Sequence, residues 1–297
     1  MNWGEFVRLS RERLPSEYEY EERIAVIERL IEGRCGMRRI DLVIRRADVI
    51  EAEAETRLMD DLARLERGEP VQYVLGRAPF MGMNLQVSPA VLIPRQETEE
   101  VVRQAMDKAR SWMARYPGTR LRILDVGTGS GCIAISLAKA FPDGEVIGID
   151  ISDAALEIAR RNSSEQEAAV HFLQADVLQE TQLSEMPFHL IVSNPPYIPQ
   201  ADEATLHSRV RDHEPPQALF SPTEDPLLYY RVIAGRASRW LVPGGWLIFE
   251  IHSGTGSETE DLLKTAGLVD TSHLRDLNGN ERIVLGRLPD DVAGPGK

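Results

Sequence analysis

The pattern of apolar and polar positions divides the chain into a helical beginning and a longer part in which strands and helices alternate. From residue 1 to about residue 68, apolar side chains recur every three or four positions between Arg and Glu, as in Glu22–Leu30 and Ala47–Leu65. This spacing is typical of amphipathic helices. Because the apolar faces of such helices must pack on something, residues 1–69 are predicted to form a small helical bundle. A helical appendage without chemistry is one interpretation of this bundle; we predict a substrate-recognition domain, because the Gly68-Glu69-Pro70 break sets it off from the rest of the chain.

A change in composition follows at Gly68-Glu69-Pro70. Between Val71 and Pro94, the short apolar pieces VQYVLG and MNLQVSPAVLIP alternate with Gly and Pro, which predicts a β-hairpin linker over residues 70–95. Glu97–Tyr116 is predicted to be a helix that Pro117-Gly118 ends. We assign residues 96–288 to a second domain, and we expect the tail, 289–297, to be disordered.

Short apolar runs and amphipathic stretches then alternate to the end of the chain. Five runs predict strands, and the stretches between them predict helices at Cys132–Phe141, from Ser152 to about Asn162, at Leu227–Leu241 and at Glu258–Ala266. The strand sequences are RILDV (122–126), EVIGID (145–150), VHFLQAD (170–176), FHLIVSN (188–194) and GWLIFEI (245–251). Asn278-Gly279-Asn280 indicates a closing hairpin. The predicted fold class is α/β, with a mostly parallel sheet, helices on both faces and an antiparallel terminal hairpin.

The composition narrows the kind of protein. Of 297 residues, 42% are hydrophobic and 27% are charged, as in an ordinary globular protein. No apolar run is long enough to cross a membrane, Met1–Leu14 lacks the apolar part of a secretory signal, and Cys35 and Cys132 form no metal-type spacing. We therefore expect a cytoplasmic protein without a bound metal. The net charge of −13 argues against a nucleic-acid substrate, although an acidic protein can still carry a local basic groove.

A glycine-rich turn joins the first strand of the second domain to a helix. It reads Asp125-Val126-Gly127-Thr128-Gly129-Ser130-Gly131, so the glycines do not have the G-x-G-x-x-G spacing of the dinucleotide fingerprint. Such a turn lets a ligand approach the backbone closely. Asp150, at the end of the next strand, can accept hydrogen bonds from both hydroxyls of an adenosine ribose; its alternative role is that of a loop acid or helix cap.

The sequence Ser193-Asn194-Pro195-Pro196-Tyr197 follows a later strand, which delivers it to the same edge of the sheet as the glycine turn. Two prolines fix a rigid bend and leave the Pro195 carbonyl free to face a ligand. The Asn194 side-chain oxygen and that carbonyl can accept both N–H bonds of a planar –NH2 group, and Tyr197 can stack on its plane. As a methyl group arrives, the nitrogen becomes more positive, so these acceptors bind the transition state more strongly than the ground state.

These features resemble motif IV of the amino-methyltransferases and, more closely, the bacterial release-factor glutamine methyltransferase family, also called the HemK family. The resemblance runs from about residue 1 to about residue 287. It rests on five segments: PVQYVLG (70–76), VSPAVLIPRQETEE (87–100), DVGTGSGCIAISLA (125–138), SNPPYI (193–198) and HEPPQAL (213–219). It implies a Rossmann-like class I methyltransferase that uses S-adenosylmethionine to methylate the side-chain amide nitrogen, N5, of the glutamine in the Gly-Gly-Gln motif of class 1 peptide-chain release factors.

The same resemblance implies roles for individual residues. Gly127, Thr128, Gly129, Ser130 and Gly131 would line the methionine part of the cofactor, Asp150 its ribose, and Asp176 with Val177 its adenine. Asn194 would touch both cofactor and substrate, and Pro195, Pro196 and Tyr197 would complete the glutamine pocket. The catalytic residues would be Asn194, Pro195 and Tyr197, with LIPRQETE as the cleft wall.

The chain departs from the family pattern at three places. Gln96 stands where the family usually has Pro, Val177 where an aromatic residue is common, and His252 where Glu-Ile is usually followed by Gly. These differences affect fine substrate contacts rather than the methyl-transfer chemistry.

Three other functions stay open at this point. They are methylation of a glutamine in a ribosomal protein, methylation of an amino group on a nucleic-acid base, and binding without catalysis. The LIPR-x-ETE segment favours the release-factor branch, and the intact Asn-Pro-Pro-Tyr motif and Asp150 favour an active enzyme. We expect a monomer that binds neither membrane nor nucleic acid.

Overall fold

In the computed structural model, which describes residues 1–179, 183 and 187–290 of the chain, the backbone forms two compact units. The first unit contains Met1–Arg77 together with the segment His207–His213, and the second contains the other described residues. None of the described helices is long and apolar enough to cross a membrane.

The first unit is helical. It contains α1 (Trp3–Arg13), α2 (Tyr20–Cys35), α3 (Arg39–Ile44), α4 (Ala52–Leu65) and α5 (Val71–Leu75). A capping box starts α1, since the Asn2 side chain accepts from the Glu5 N–H and the Glu5 carboxylate accepts from the Asn2 N–H. The predicted three-to-four spacing is therefore real, because it buries one face of each long helix in a common core that includes Phe6, Leu30, Leu58, Leu62 and Val74.

The segment His207–His213 completes this unit from far along the chain. It carries a short helix, Ser208–Arg211. The Arg209 guanidinium lies 4.0 Å from the centre of the Tyr18 ring and pairs with Glu22 at 2.5 Å. The Ser208 hydroxyl donates to Glu17 at 2.6 Å.

The linker prediction is wrong in its first part. Val71–Leu75, expected as the start of a hairpin, is the short helix α5, which begins after Pro70 and ends at Gly76 with φ +73°. Val71 and Val74 are buried in the core of the first unit, and this packing overrides the strand propensity of VQYVL. The hairpin itself is shorter than predicted and consists of β1 (Arg77–Phe80) and β2 (Met83–Gln86).

The second unit is built on the predicted sheet. Its strands are β3 (Arg122–Val126), β4 (Glu145–Asp150), β5 (Val170–Gln174), β6 (Phe188–Ser193), β7 (Leu241–Glu250), β8 (Val269–Arg275) and β9 (Glu281–Arg287). They have the order β5-β4-β3-β6-β7-β9-β8 in the sheet, and all pairs are parallel except those that β9 makes with β7 and β8. The α/β fold with an antiparallel terminal hairpin is thus confirmed. Three strands have different boundaries. β7 begins at Leu241, opposite Phe188, rather than at Gly245 and ends at Glu250, and β5 and β6 end at Gln174 and Ser193 rather than at Asp176 and Asn194.

Helices cover both faces of the sheet. They are α6 (Gln96–Arg115), α7 (Cys132–Ala140), α8 (Asp153–Glu165), α10 (Pro216–Leu219), α11 (Leu228–Trp240) and α12 (Gly256–Thr265), with a 3-10 helix at Gln200–Thr205; Ser208–Arg211 of the first unit is α9. Successive residues of β6 point to opposite cores, with Leu190 and Val192 under α6 and α7, and Ile191 under α11 and α12. This alternation explains why β6 is buried at every position.

Most of the tail predicted to be disordered, 289–297, lies outside the described residues, because the structure describes the chain only to residue 290. Asp290 is described, and its carboxylate accepts hydrogen bonds from Arg115 and Tyr116, both at 2.9 Å.

The site-bearing edge of the sheet is tied together by Asn162 of α8, whose side chain is fully buried. Its amide nitrogen donates to the carbonyls of Gln86, at 3.0 Å, and Ser130, at 2.9 Å, and its oxygen accepts from the Gln86 N–H at 2.6 Å. One side chain therefore fixes the hairpin strand β2 and the glycine turn relative to α8.

We predict that Asn162→Ala lowers the free energy of unfolding by about 2–4 kcal/mol, because three backbone groups lose their partner and Ser130 is buried. Urea denaturation measures this change. The control is Arg161→Ala on the exposed side of α8, whose 3.5 Å pair with Glu157 should contribute less than about 0.5 kcal/mol. Equal effects of the two substitutions would contradict the role given to Asn162.

Candidate active site

A cleft opens at the carboxyl edge of the sheet, where the strand order reverses between β4 and β6 on either side of β3. Val126 pairs in register with Ile149 and Ser193, so β3, β4 and β6 end together. Such a switch point is where open α/β sheets bind ligands. The empty volume of the cleft, including open solvent at its mouth, is about 990 Å³.

Most of the predicted site residues line this cleft. They are Gly127, Thr128, Gly129, Ser130, Asp150, Asp176, Val177, Asn194 and Pro196. Gly131, Pro195 and Tyr197 do not line the cleft themselves, but each is bonded to a residue that does. The structure therefore brings the glycine turn, the acid and the Asn-Pro-Pro-Tyr segment to one place, as the strand pattern predicts.

The glycine turn has a conformation that needs glycine. Gly127, Gly129 and Gly131 have φ values of +75°, +54° and +82°. A Cβ at Gly131 would lie 3.0 Å from Ile135 and 3.2 Å from Ala159, whereas a Cβ at Gly129 would meet no described atom within 4 Å. Gly131 is thus required for helix packing, and Gly129 faces the open cleft.

Asp150 holds the turn in place. Its Oδ2 accepts from the Gly129 N–H and its Oδ1 from the Ser152 N–H, both at 2.9 Å. Burial raises the pKa of Asp150 above its ordinary value. Asp150 is therefore a loop acid as well as a residue of the cleft.

A second acid, Asp125, lies beneath the same turn. Its Oδ2 accepts from the Thr128 hydroxyl at 2.7 Å and from the Ala134 N–H at 3.1 Å. Its buried Oδ1 has no hydrogen-bond partner among the described residues. Burial raises the pKa of Asp125 to about 7.

The Asn-Pro-Pro-Tyr segment leaves the end of β6. Ser193 anchors it, since the Ser193 hydroxyl donates to the Val126 carbonyl at 2.8 Å. The half-buried Asn194 side chain and the Pro195 carbonyl make no hydrogen bond with any residue that the structure describes. The Tyr197 ring packs against His252 with 5.8 Å between ring centres, and burial raises the pKa of Tyr197 to about 12. The segment thus presents two oxygen acceptors and a neutral phenol.

The predicted adenine end of the cleft lies beyond β5. Val177 is buried, and the Asp176 carboxylate accepts from the Leu178 N–H at 2.9 Å. Tyr229 of α11 also lines the cleft there. The sequence did not predict a role for Tyr229. Its aromatic side chain lines the same cleft as Val177, which stands where the family often has an aromatic residue.

Glu214 is another residue that the sequence reasoning missed. Its side chain is 1% exposed, accepts from the Ile93 N–H at 3.2 Å and forms an ion pair with Arg95. Arg95 lines the cleft, as do Gln217 and Ala218, which follow Glu214. The buried Glu214 carboxylate therefore joins its own segment, HEPP (213–216), to LIPR (92–95). In the sequence, the one sign of this contact is that both segments belong to the family pattern.

Two departures from the family pattern lie at tolerant positions. Gln96 is the exposed first residue of α6, where the backbone N–H has no partner within the helix and proline is optional. His252 follows β7 and contacts Tyr197 with one face while remaining exposed.

Two family models match the chain. The model described as the Methyltransferase small domain matches residues 103–211, and the model described as the PrmC N-terminal domain matches residues 5–76. The first range includes the glycine turn, Asp150 and the Asn-Pro-Pro-Tyr segment, and the second nearly coincides with the helical unit.

Among solved structures, the catalytic domain of hMettl16 in complex with MAT2A 3′UTR hairpin 6 is similar in fold. The TM-score is 0.50 at 16% identity, and the match covers 82% of this chain and 85% of that one. At this identity the similarity concerns the fold alone.

Several curated relatives are similar over most of their length. The release factor glutamine methyltransferase of Bacteroides thetaiotaomicron is 38% identical over 274 residues, which are 92% of this chain and 96% of that protein. The proteins of the same name from Geobacter sulfurreducens and Chlorobaculum tepidum are 36% and 42% identical; they cover 88% and 73% of this chain, and 88% and 74% of their own lengths. The chain is thus a methyltransferase whose methyl donor is S-adenosylmethionine, and it belongs to the release factor glutamine methyltransferase family.

Proposed function

We propose that this enzyme methylates the side-chain amide nitrogen, N5, of the glutamine in the Gly-Gly-Gln motif of class 1 peptide-chain release factors. The observation that carries the proposal is the pair of acceptors at the end of β6, the Asn194 side chain and the Pro195 carbonyl. Neither is used by the described residues, and Asn194 stands on the wall of the cofactor cleft. The names of the relatives support the choice of substrate. We further propose that the enzyme acts as a monomer in the cytoplasm.

The cofactor would be held by residues of three strand ends. Gly127–Gly131 would bind the methionine part, because the turn exposes backbone there and Gly129 leaves open space. Asp150 would accept from the ribose hydroxyls. Asp176 and Val177 would border the adenine, with Tyr229 beside them.

The glutamine amide would lie between the cofactor and the Asn-Pro-Pro-Tyr segment. The Asn194 oxygen and the Pro195 carbonyl would accept its two N–H bonds and fix the nitrogen in line with the sulfonium methyl group. Pro196 and Tyr197 would hold this segment rigid, since Tyr197 packs on His252 and its phenol stays protonated at neutral pH. Alignment and hydrogen bonds that strengthen in the transition state would supply the catalysis.

Recognition of the release factor would fall to the first unit. On α3, Ile40, Val43 and Ile44 are 56%, 68% and 75% exposed. Arginines flank them at positions 38, 39, 45 and 46 in a chain whose net charge is −13. Arg38, Arg39 and Arg45 form ion pairs with Asp41, Glu28 and Asp48, so the rim carries both charges. A surface that is apolar at its centre and charged at its rim fits a partly apolar surface on a protein partner.

The first prediction concerns the cofactor. Asp150→Ala should raise the Kd for S-adenosylmethionine at least about tenfold, because charge-assisted hydrogen bonds to the ribose are lost. Calorimetric titration gives the Kd, and Asp153→Ala, an exposed acid in the first turn of α8, controls for the loss of charge. A lower melting temperature with an unchanged Kd would mean that Asp150 is only a loop acid.

The second prediction concerns the identity of the substrate. Radiolabelled transfer from S-adenosylmethionine is measured in parallel with purified release factor, ribosomal protein and DNA, and mass spectrometry locates the methyl group. We expect label only on the release factor, at the Gly-Gly-Gln glutamine. Label on the ribosomal protein or DNA alone would overturn the substrate assignment.

In the same assay, Asn194→Ala should slow single-turnover transfer at least about a hundredfold, since one amide N–H loses its acceptor and the nitrogen loses its alignment. Cofactor affinity should change much less, because most cofactor contacts lie elsewhere. Asn278→Ala, in the exposed hairpin turn, serves as the control. A near wild-type rate for Asn194→Ala would make Asn-Pro-Pro-Tyr a simple turn.

The third prediction concerns the α3 surface. The double substitution Val43→Glu, Ile44→Glu should raise KM for intact release factor about tenfold, because it places charge on the apolar centre of the surface. Turnover of a short Gly-Gly-Gln peptide should not change. Val49→Glu, at an exposed position outside α3, is the matched control. An equal change for peptide and intact protein would contradict a recognition role.

A further inference from the structure

Glu250 is a buried acid that the proposed binding roles do not use. It is the last residue of β7 and is 2% exposed. Its neighbour Phe249 pairs in register with Ser193, so Glu250 lies at the level where β6 delivers Asn194. A carboxyl group buried at this point needs a hydrogen-bond partner that offsets its lost hydration.

Thr98 is that partner, and it connects Glu250 to the cleft. The Thr98 hydroxyl donates to Glu250 Oε2 at 2.6 Å, across 152 positions of sequence. Thr98 lies in the first turn of α6, is 3% exposed and lines the cleft beside Pro94 and Arg95. A hydroxyl can accept one hydrogen bond while it donates another, so a group in the cleft can reach the carboxylate through Thr98.

The surroundings of Glu250 leave it able to change charge near neutral pH. Burial raises the pKa of Glu250 to about 7, although the Thr98 hydrogen bond and Arg282 oppose the rise. The carboxyl is therefore mostly protonated below pH 7 and mostly ionised above it. The titratable and charged groups that face it are Arg95 and Glu97 from the start of α6, Cys132 from α7, Tyr197 from the loop after β6, Tyr230 from α11 and Arg282 from β9.

We propose that Thr98 and Glu250 form a proton relay for the methyl transfer, an inference that rests on the proposed function. The amide nitrogen of the glutamine forms a bond to the methyl carbon while the carbon–sulfur bond of S-adenosylmethionine breaks and its electron pair stays on sulfur. In the same step, one N–H turns from its acceptor on the Asn-Pro-Pro-Tyr segment to the Thr98 oxygen and gives up its proton there, while the Thr98 hydroxyl proton passes to Glu250 Oε2. The products are the N-methyl amide, S-adenosylhomocysteine and a protonated Glu250, which returns its proton to solvent through Thr98 once the cleft opens.

A similar pair, Thr128 and Asp125, lies on the other side of the cleft and makes a natural comparison. It has the same hydroxyl-to-carboxylate geometry, at 2.7 Å, and burial likewise raises the pKa of Asp125 to about 7. Thr128, however, belongs to the glycine turn, whereas Glu250 follows Phe249, which pairs in register with Ser193 directly before the Asn-Pro-Pro-Tyr segment. The position of Glu250 on the substrate side distinguishes it as the acceptor.

The test is single-turnover transfer from saturating S-adenosylmethionine to intact release factor between pH 5.5 and 9. The wild-type rate should rise with pH around 7, because the relay needs ionised Glu250. Thr98→Val and Glu250→Gln should each lower the rate at pH 8 by about a hundredfold and abolish this rise. Thr98→Ser, which keeps the hydroxyl, should restore both the rate and the pH dependence.

Controls separate the relay from a structural role. Thr128→Val should weaken cofactor binding and yet keep the rise in rate around pH 7. Glu250→Gln should melt at pH 8 no lower than the wild type, because a neutral amide avoids burying a charge. On the wild type alone, the rate at pH 8 should be slower in D2O than in H2O, and this measurement needs no variant.

Each contrary result has a distinct meaning. A persistent rise around pH 7 in Glu250→Gln, a near wild-type rate for Thr98→Val, or equal rates in H2O and D2O would overturn the relay while leaving the glutamine methyltransferase activity intact. Absence of methyl transfer by the wild type would overturn the proposed function and the relay together.

Discussion

The geometry of the cleft depends on the parallel pairing of β3 with both β4 and β6. Because the three strands run the same way and end in register at Val126, Ile149 and Ser193, everything that follows them meets at one edge. The glycine turn begins directly after Val126, Asp150 directly follows Ile149, and Asn194 directly follows Ser193. The sheet therefore assembles a cleft from segments dozens of residues apart, and Asn162 and Ser193 only fix details of a geometry that strand register already imposes.

A second feature of the site is the burial of acidic side chains at the carboxyl edge of the sheet. Asp125, Asp150 and Glu250 all have raised pKa values, and burial is the largest cause in each case. Isolated buried carboxylates would destabilise the fold, and hydrogen bonds from Thr128, Gly129 and Thr98 offset part of that penalty.

Local sequence was sufficient for the sheet, the glycine turn and the position of Asn-Pro-Pro-Tyr, because each depends on strand periodicity or on Gly and Pro within a few residues. It failed for Val71–Leu75, where burial in the helical unit outweighs strand propensity. It also missed Thr98–Glu250 and Arg95–Glu214, pairs separated by 152 and 119 positions. Such pairs arise from tertiary packing, and one sequence carries no periodic signal for them.

The departures from the family pattern indicate which parts of the site the chemistry requires. Gln96 lies at the exposed start of α6, where the helix accepts almost any residue, and two positions later Thr98 is buried against Glu250. His252 supplies a face for Tyr197 while Glu250, two residues before it, keeps its buried place. Gln96 and His252 are therefore exposed departures, whereas the third, Val177, is buried. The buried acids differ from these exposed positions, because loss of the Thr98 or Thr128 hydroxyl would leave a buried carboxyl without that donor.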